Sequence, residues 1–135
     1  MKYLLAFVRD QDRMYEGTEE EMQALMDAWN QFNREAAEAG VLIADEALEL
    51  PNTAKTLRIE ADSEPTITDG PFAETKEQLG GFCLIDCESL EEAIGWAKKV
   101  PLGPGSVIEV RAVKDLTPYG YRSVDVAAVQ AKANA

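Results

Sequence analysis

Asp69-Gly70-Pro71-Phe72-Ala73-Glu74-Thr75-Lys76-Glu77, running on into Gln78-Leu79-Gly80-Gly81, is the stretch around which this chain is organised. It packs two backbone-directing residues, an aromatic ring, three carboxylates, a hydroxyl and an ammonium together, where an ordinary connection needs only a few turn residues. Gly70 before Pro71 predicts a chain reversal, because proline fixes its own φ and pushes the preceding residue toward extended geometry. Asp69 is expected to anchor that turn by accepting hydrogen bonds from backbone N–H groups two or three residues on. In an extended segment Glu74 and Lys76 share one face, and Thr75 and Glu77 the other. Two readings of these residues stand side by side. In the plain one Asp69 caps a turn, Phe72 is core and Glu74 with Lys76 is a solvated pair worth well under ~1 kcal/mol; in the sharper one the loop meets a ligand or a partner.

Before the loop, Thr56-Leu57-Arg58-Ile59-Glu60 and Pro65-Thr66-Ile67-Thr68 are short β-type segments separated by Ala61-Asp62-Ser63-Glu64, which predicts a small hairpin that delivers the loop. After it, Leu79 to Asp86 reads as a strand, and Gly80-Gly81 marks a bulge or a place where another backbone or a ligand comes close. Further upstream, Val41 to Leu50 predicts a strand broken by Pro51-Asn52. Thr18 with Glu21 forms a capping box, and Met22, Leu25, Trp29, Phe32, Ala36 and Ala39 recur at helical spacing until Gly40. Trp29 and Phe32 read as core. Tyr3-Leu4-Leu5-Ala6-Phe7-Val8 is apolar without alternation, as in a central strand covered on both faces, and Arg9 to Gly17 is a polar loop whose Arg13, Met14 and Tyr15 are candidates to overhang a cavity mouth. Downstream, Ser89 with Glu92 caps a helix carrying Leu90, Ala93, Ile94 and Ala97 that closes at Lys98-Lys99 and Pro101, and Val107 to Val113 alternates with Glu109 and Arg111 on one face. The order is β-α-β-β-α-β with an inserted hairpin, which predicts an α+β, ferredoxin-like split βαβ: an antiparallel sheet with two helices on one face. Residues 1–116 form the domain and 117–135 a tail. The uncovered face of such a sheet, with an apolar first strand in it, predicts a homodimer packed sheet to sheet.

The run from Asp69 to Glu77, with Gly80-Gly81 beyond it, resembles the signature of the YCII-related family in its DGPF-domain branch, and the Met1-Lys2-Tyr3-Leu4-Leu5 opening agrees. The resemblance covers about residues 1 to 116. It implies the dimeric α/β-barrel architecture and, as a partner, a sigma factor of the extracytoplasmic-function type. Some relatives are suspected enzymes on the strength of a His and Asp pair; this chain has no histidine, so no His-based mechanism carries over.

Composition bounds the rest. The chain has 135 residues, 46% of them hydrophobic, enough for one domain with a core and too few for two. No run approaches the ~18 to 20 apolar residues of a membrane span, and Lys2 with the short apolar run to Val8 is no signal peptide, so a soluble, cytoplasmic protein is expected. Cys83 and Cys87, ~13 Å apart on one face of a strand, are too far apart to bridge and read as buried thiols. A net charge of −12 argues against direct nucleic-acid binding. Nine acids against Arg34 alone between residues 18 and 50 supply −8 of it, as a solvated helix face or an acidic docking face. No phosphate loop, metal-ligand set or nucleophile turn is present, so no cofactor or metal is expected.

Two functions stay open. One is a non-catalytic small-molecule-binding or regulatory module, with Tyr3, Arg9, Phe72, Thr75 and Lys76 meeting a small organic ligand or a protein partner. The alternative is a cofactor-independent isomerase or lyase, in which Asp69, Glu74 and Glu77 perform acid–base chemistry with Tyr3, Arg9, Lys76 or Arg111 orienting the substrate.

Overall fold

A computed structural model describes residues 1–10 and 17–135; the predicted overhang of Arg13, Met14 and Tyr15 lies outside the described residues. The strands β1 (Lys2–Asp10), β2 (Leu42–Ala47), β5 (Glu77–Asp86) and β6 (Val107–Ala112) form one sheet in the order β2-β5-β1-β6, with every neighbouring pair antiparallel. The strands β3 (Lys55–Arg58) and β4 (Thr66–Asp69) pair separately as the inserted hairpin. Helices α1 (Glu19–Glu38) and α2 (Leu90–Ala97) pack on one face, and α3 (Val126–Ala133) lies in the tail. The result is a mixed α+β fold compatible with a ferredoxin-like split βαβ.

Local chemistry accounts for the elements. Thr18 Oγ1 accepts from Glu21 N at 3.2 Å and Ser89 Oγ from Glu92 N at 3.2 Å, so both capping sequences start their helices. Glu92 reaches back one residue beyond its cap, accepting from Glu88 N at 2.9 Å. Alternation in β1 sends Tyr3, Leu5 and Phe7 under the helices, and the register sets Ile85, Cys83 and Gly81 of β5 beside them on the same face. Phe32, Ala36, Ala93 and Ala97 close the core from above. Leu5, Ile85 and Cys83 are the largest of its fully buried side chains. A row of rings crosses it: Phe7 to Trp29 at 5.4 Å, Trp29 to Phe32 at 5.9 Å, Phe32 to Trp96 at 6.3 Å between centroids. Tilted and edge-on contacts of this kind add to what burial alone supplies.

Gly80-Gly81 satisfies both of its predicted roles. The register of β1 on β5 passes from Phe7↔Gly81 to Val8↔Leu79, which leaves Gly80 as the extra residue of a bulge. An added Cβ on Gly81 would stand 2.8 Å from the backbone oxygen of Glu46, so β2 crosses there at a distance only glycine permits. The bulge frees the Gly80 carbonyl to accept from Leu48 N at 2.9 Å, tying the end of β2 to the sheet.

Some boundaries differ from expectation. The second strand stops at Ala47 instead of Leu50, because the chain then enters a 3-10 turn at Pro51–Thr53. The tail holds a helix, capped by Asp125 accepting from Ala128 N, with no buried residue. Gly70 has φ of 92°, a left-handed conformation in place of the extended one expected before proline, and glycine alone adopts it without strain.

Helices α1 and α2 leave the opposite face of the sheet uncovered. Leu4, Ala6 and Val8 of β1 and Phe82 and Leu84 of β5 point there, half-buried, with Leu79 and Val107 exposed at the margin.

Candidate functional site

The Asp69–Glu77 loop is held by groups other than the one expected. Asp69 does not anchor the turn through backbone N–H groups: its carboxylate pairs with Lys55, the residue opposite it in the hairpin. Gly70 N donates to Ala54 O at 2.7 Å, Thr56 Oγ1 donates to Gly70 O at 2.7 Å, and Arg58 donates to Phe72 O at 3.4 Å. The buried amide of Gln78 donates to Ala73 O at 2.9 Å, Thr75 O at 3.0 Å and Thr75 Oγ1 at 3.3 Å, and so binds the far end of the loop to β5. Thr75 also donates to Glu77 O, so its hydroxyl serves the loop's own geometry. Lys76 pairs with Asp10 at 3.5 Å, not with Glu74.

The candidate residues therefore divide. Asp69, Glu74, Thr75, Lys76 and Glu77 are exposed in the protomer, and Phe72, expected in a core or a pocket wall, is 79% exposed. Arg111 pairs with Glu109 on the helix-free face. Tyr3 is buried beneath the helices with its hydroxyl donating to Met1 Sδ at 3.8 Å, six residues and roughly 20 Å along β1 from Arg9. Arg9 alone among them lines a cavity.

That cavity, about 330 Å³, opens between α1 and the ends of β1, β5 and β2. Small-molecule sites in proteins are of this size and makeup, mostly apolar with a few placed polar groups. Its apolar wall is Phe7 from β1, Met22, Leu25, Met26 and Trp29 from α1, and Leu102. Its polar groups are Arg9, Asn30, Asn33 and Asp45. Gly80, Gly81, Phe82, Glu46 and Ala47 complete the rim where β5 and β2 meet. Register decides which acid faces the space. Asp45 lies opposite Cys83 and so points under the helices, whereas Glu46 lies opposite Phe82 and points to the helix-free face.

Asn33 and Asp45 are joined: Asn33 Nδ2 donates to Asp45 Oδ2 at 3.0 Å. Asn33 Oδ1 is buried with no hydrogen-bond partner, a state that costs about 1 to 3 kcal/mol and that folded proteins seldom tolerate without a reason. No ion pair among the described residues engages Asp45. Behind it, burial and then the Asp45 charge push the Cys83 thiol up to about 11, so it stays protonated and is no nucleophile at neutral pH. Cys87 is raised as well, chiefly by burial, and both thiols are free and buried, as expected. Among the described residues no group of three or more His, Cys, Asp or Glu is placed to hold a metal ion, and no helix is long and apolar enough to cross a membrane.

Sequence reasoning missed Asn33 and Asp45, although both carry a signal. Asn33 falls on the apolar stripe of α1, four residues after Trp29, and Asp45 falls at an inward position of β2. A polar residue at a core-facing position is the informative kind of exception.

An uncharacterized protein of Rhizobium meliloti (strain 1021) is 41% identical over 98 residues, which cover 73% of this chain and 78% of that protein. The family model described as YCII-related domain matches residues 1–117, from β1 through the hairpin, the loop and both packed helices into the 3-10 turn after β6. The chain belongs to the YCII-related domain family.

Proposed function

We propose that this protein is a non-catalytic small-molecule-binding module whose ligand occupies the cavity between α1 and the sheet. The observation that carries the reading is the cavity itself: about 330 Å³, walled by Phe7 and Trp29, with the unpaired acceptor of Asn33 beside it. A ligand seated against Phe7, Trp29 and the apolar side chains of α1 removes that wall from water, which favours binding. The test is chemical-shift mapping of small organic molecules selected by thermal stabilisation. Binders are expected to move the resonances of Trp29, Asn33 and Asp45; binders that perturb only residues 69–77 refute the assignment.

The module works in the cytoplasm as a homodimer. Support for the dimer comes from the helix-free face, where Leu4, Ala6, Val8, Phe82 and Leu84 form an apolar surface that a second copy would cover. Sedimentation showing a monomer at micromolar concentration overturns it. A protein partner reads the ligand state, and the family resemblance makes an extracytoplasmic-function sigma factor the one to test. The exposed Glu19, Glu20 and Glu21 at the start of α1 supply an acidic docking face for it. Co-purification at low salt that is unchanged when these three are neutralised sinks that assignment. The acid–base alternative ranks second, because Asp69, Glu74 and Glu77 are exposed where a catalytic carboxylate needs a concave, partly desolvated site.

A further inference from the structure

We infer that the cavity selects a protonated amine carried on an aromatic or aliphatic body, with Asp45 as its counter-ion. The inference rests on the cavity being a ligand site and adds the chemical class of what enters it.

Three features of the polar wall point the same way. First, the polar wall presents the carboxylate of Asp45: the Asn33 amide spends a donor on Asp45 Oδ2, which fixes its orientation because the reversed amide would set oxygen against carboxylate, and Asn33 Oδ1 is itself buried. Second, the half-buried Asp45 has this neutral amide as its hydrogen-bond partner and no cation among the described residues. A partly desolvated carboxylate in that state gains most from an ammonium, since charge-assisted hydrogen bonds are roughly twice as strong as neutral ones. Third, the adjoining wall is the tilted pair Phe7 and Trp29, with ring centroids 5.4 Å apart, and aromatic faces attract cations.

Among the described residues Arg9 is the one cation in the cavity wall, and it would favour an acid instead. It is already engaged within the chain, which weakens its claim on a ligand carboxylate. The field of the whole molecule, with a net charge of −12, draws cations toward the opening and repels anions.

The test follows the quenching of tryptophan fluorescence, with calorimetry in parallel, for three probes of one shape: 2-phenylethylamine, 2-phenylethanol and phenylacetate, at neutral pH and low salt. The expected order is amine first, at least about tenfold tighter than the alcohol, with phenylacetate weakest. Asp45→Asn is expected to bring the amine down to the level of the alcohol while leaving the alcohol unchanged, and circular dichroism shows that the variant is folded. If it does not fold, the ranking of the three probes on the unaltered protein decides. Phenylacetate or phenylethanol binding as well as or better than the amine overturns this inference and leaves the cavity as a ligand site anchored elsewhere. An amine whose binding is indifferent to Asp45→Asn overturns it too. Failure of all three probes to bind overturns this inference, while the proposed function stands or falls on the chemical-shift mapping of molecules selected by thermal stabilisation.

Discussion

Replacing Gly81 with alanine tests the close approach of β2 to β5. The added Cβ would meet Glu46 O at 2.8 Å and Ala47 Cα at 3.4 Å, and the first of these is a separation that real Cβ atoms essentially never show. The obstacle is backbone and not the end of a flexible side chain, so β2 must move away from β5 by roughly half an ångström, straining the Leu48 N to Gly80 O bond and the ladder beside it. Overpacking of this kind costs about 1 to 3 kcal/mol. For a domain of this length each kcal/mol is worth roughly 3 to 5 °C, so Gly81→Ala is expected to lower Tm by about 3 to 15 °C. Gly95→Ala is the matched control. Gly95 sits inside α2 with nothing within 4 Å of its added Cβ, and there alanine removes backbone freedom from the unfolded chain, raising stability by about 0.5 to 1 kcal/mol. Thermal unfolding followed by circular dichroism reads both. A Gly81→Ala protein as stable as the parent would refute the reasoning. It would mean that β2 and β5 are not held at this separation, and with it would go the inward placement of Asp45, which depends on their register.

Two further outcomes are expected. Gln78→Ala removes three hydrogen bonds that hold the loop and is expected to cost about 1 to 3 kcal/mol, whereas Asp69→Ala removes only an exposed ion pair and is expected to cost under about 0.5 kcal/mol; chemical denaturation giving the opposite ranking would restore Asp69 as the anchor. The Cys83 thiol titrates near 9 when unfolded and at about 11 when folded, so its contribution is fully present below pH 9 and is lost as pH rises through 11, on the order of 3 kcal/mol in all; a stability curve in that range whose slope is unchanged by Cys83→Ala contradicts the shift.

The element order was readable from the chain because each element is marked by local chemistry that tertiary contacts do not need to supply. Thr18 and Ser89 start their helices through hydrogen bonds to residues three positions on, and β3 pairs with β4 across a connection whose middle, Ala61-Asp62-Ser63-Glu64, is largely polar. The Gly80-Gly81 pair signalled both a bulge and a close approach, and both are present. Boundaries were less readable where two signals compete. Leu48 and Leu50 continue an alternating pattern, yet Pro51 draws the chain into a 3-10 turn and the strand ends earlier. The helix at 126–133 has an N-cap Asp125 and an alanine-rich body but no apolar stripe, so periodicity could not reveal it.

The candidate site was harder to read than the fold for a geometric reason. A contiguous stretch such as Asp69 to Glu77 concentrates chemistry in the sequence, but consecutive residues on a loop point in different directions, and here most of their hydrogen bonds go back into the loop and the hairpin that carries it. Gln78, next after it in the chain, is buried, and its amide serves the same end. The cavity instead draws Arg9 from the end of β1, Asn33 from the middle of α1 and Asp45 from β2, positions separated by 24 and 12 residues that only the split βαβ crossover brings together. What marks such residues in advance is a mismatch with their element: an amide on the apolar stripe of a helix, a carboxylate on the inward side of a strand. Each mismatch costs burial free energy that the fold could recover with a leucine or a valine. That the two meet at 3.0 Å, with one acceptor still unpaired, makes a shared purpose at the cavity the more economical account than two independent defects.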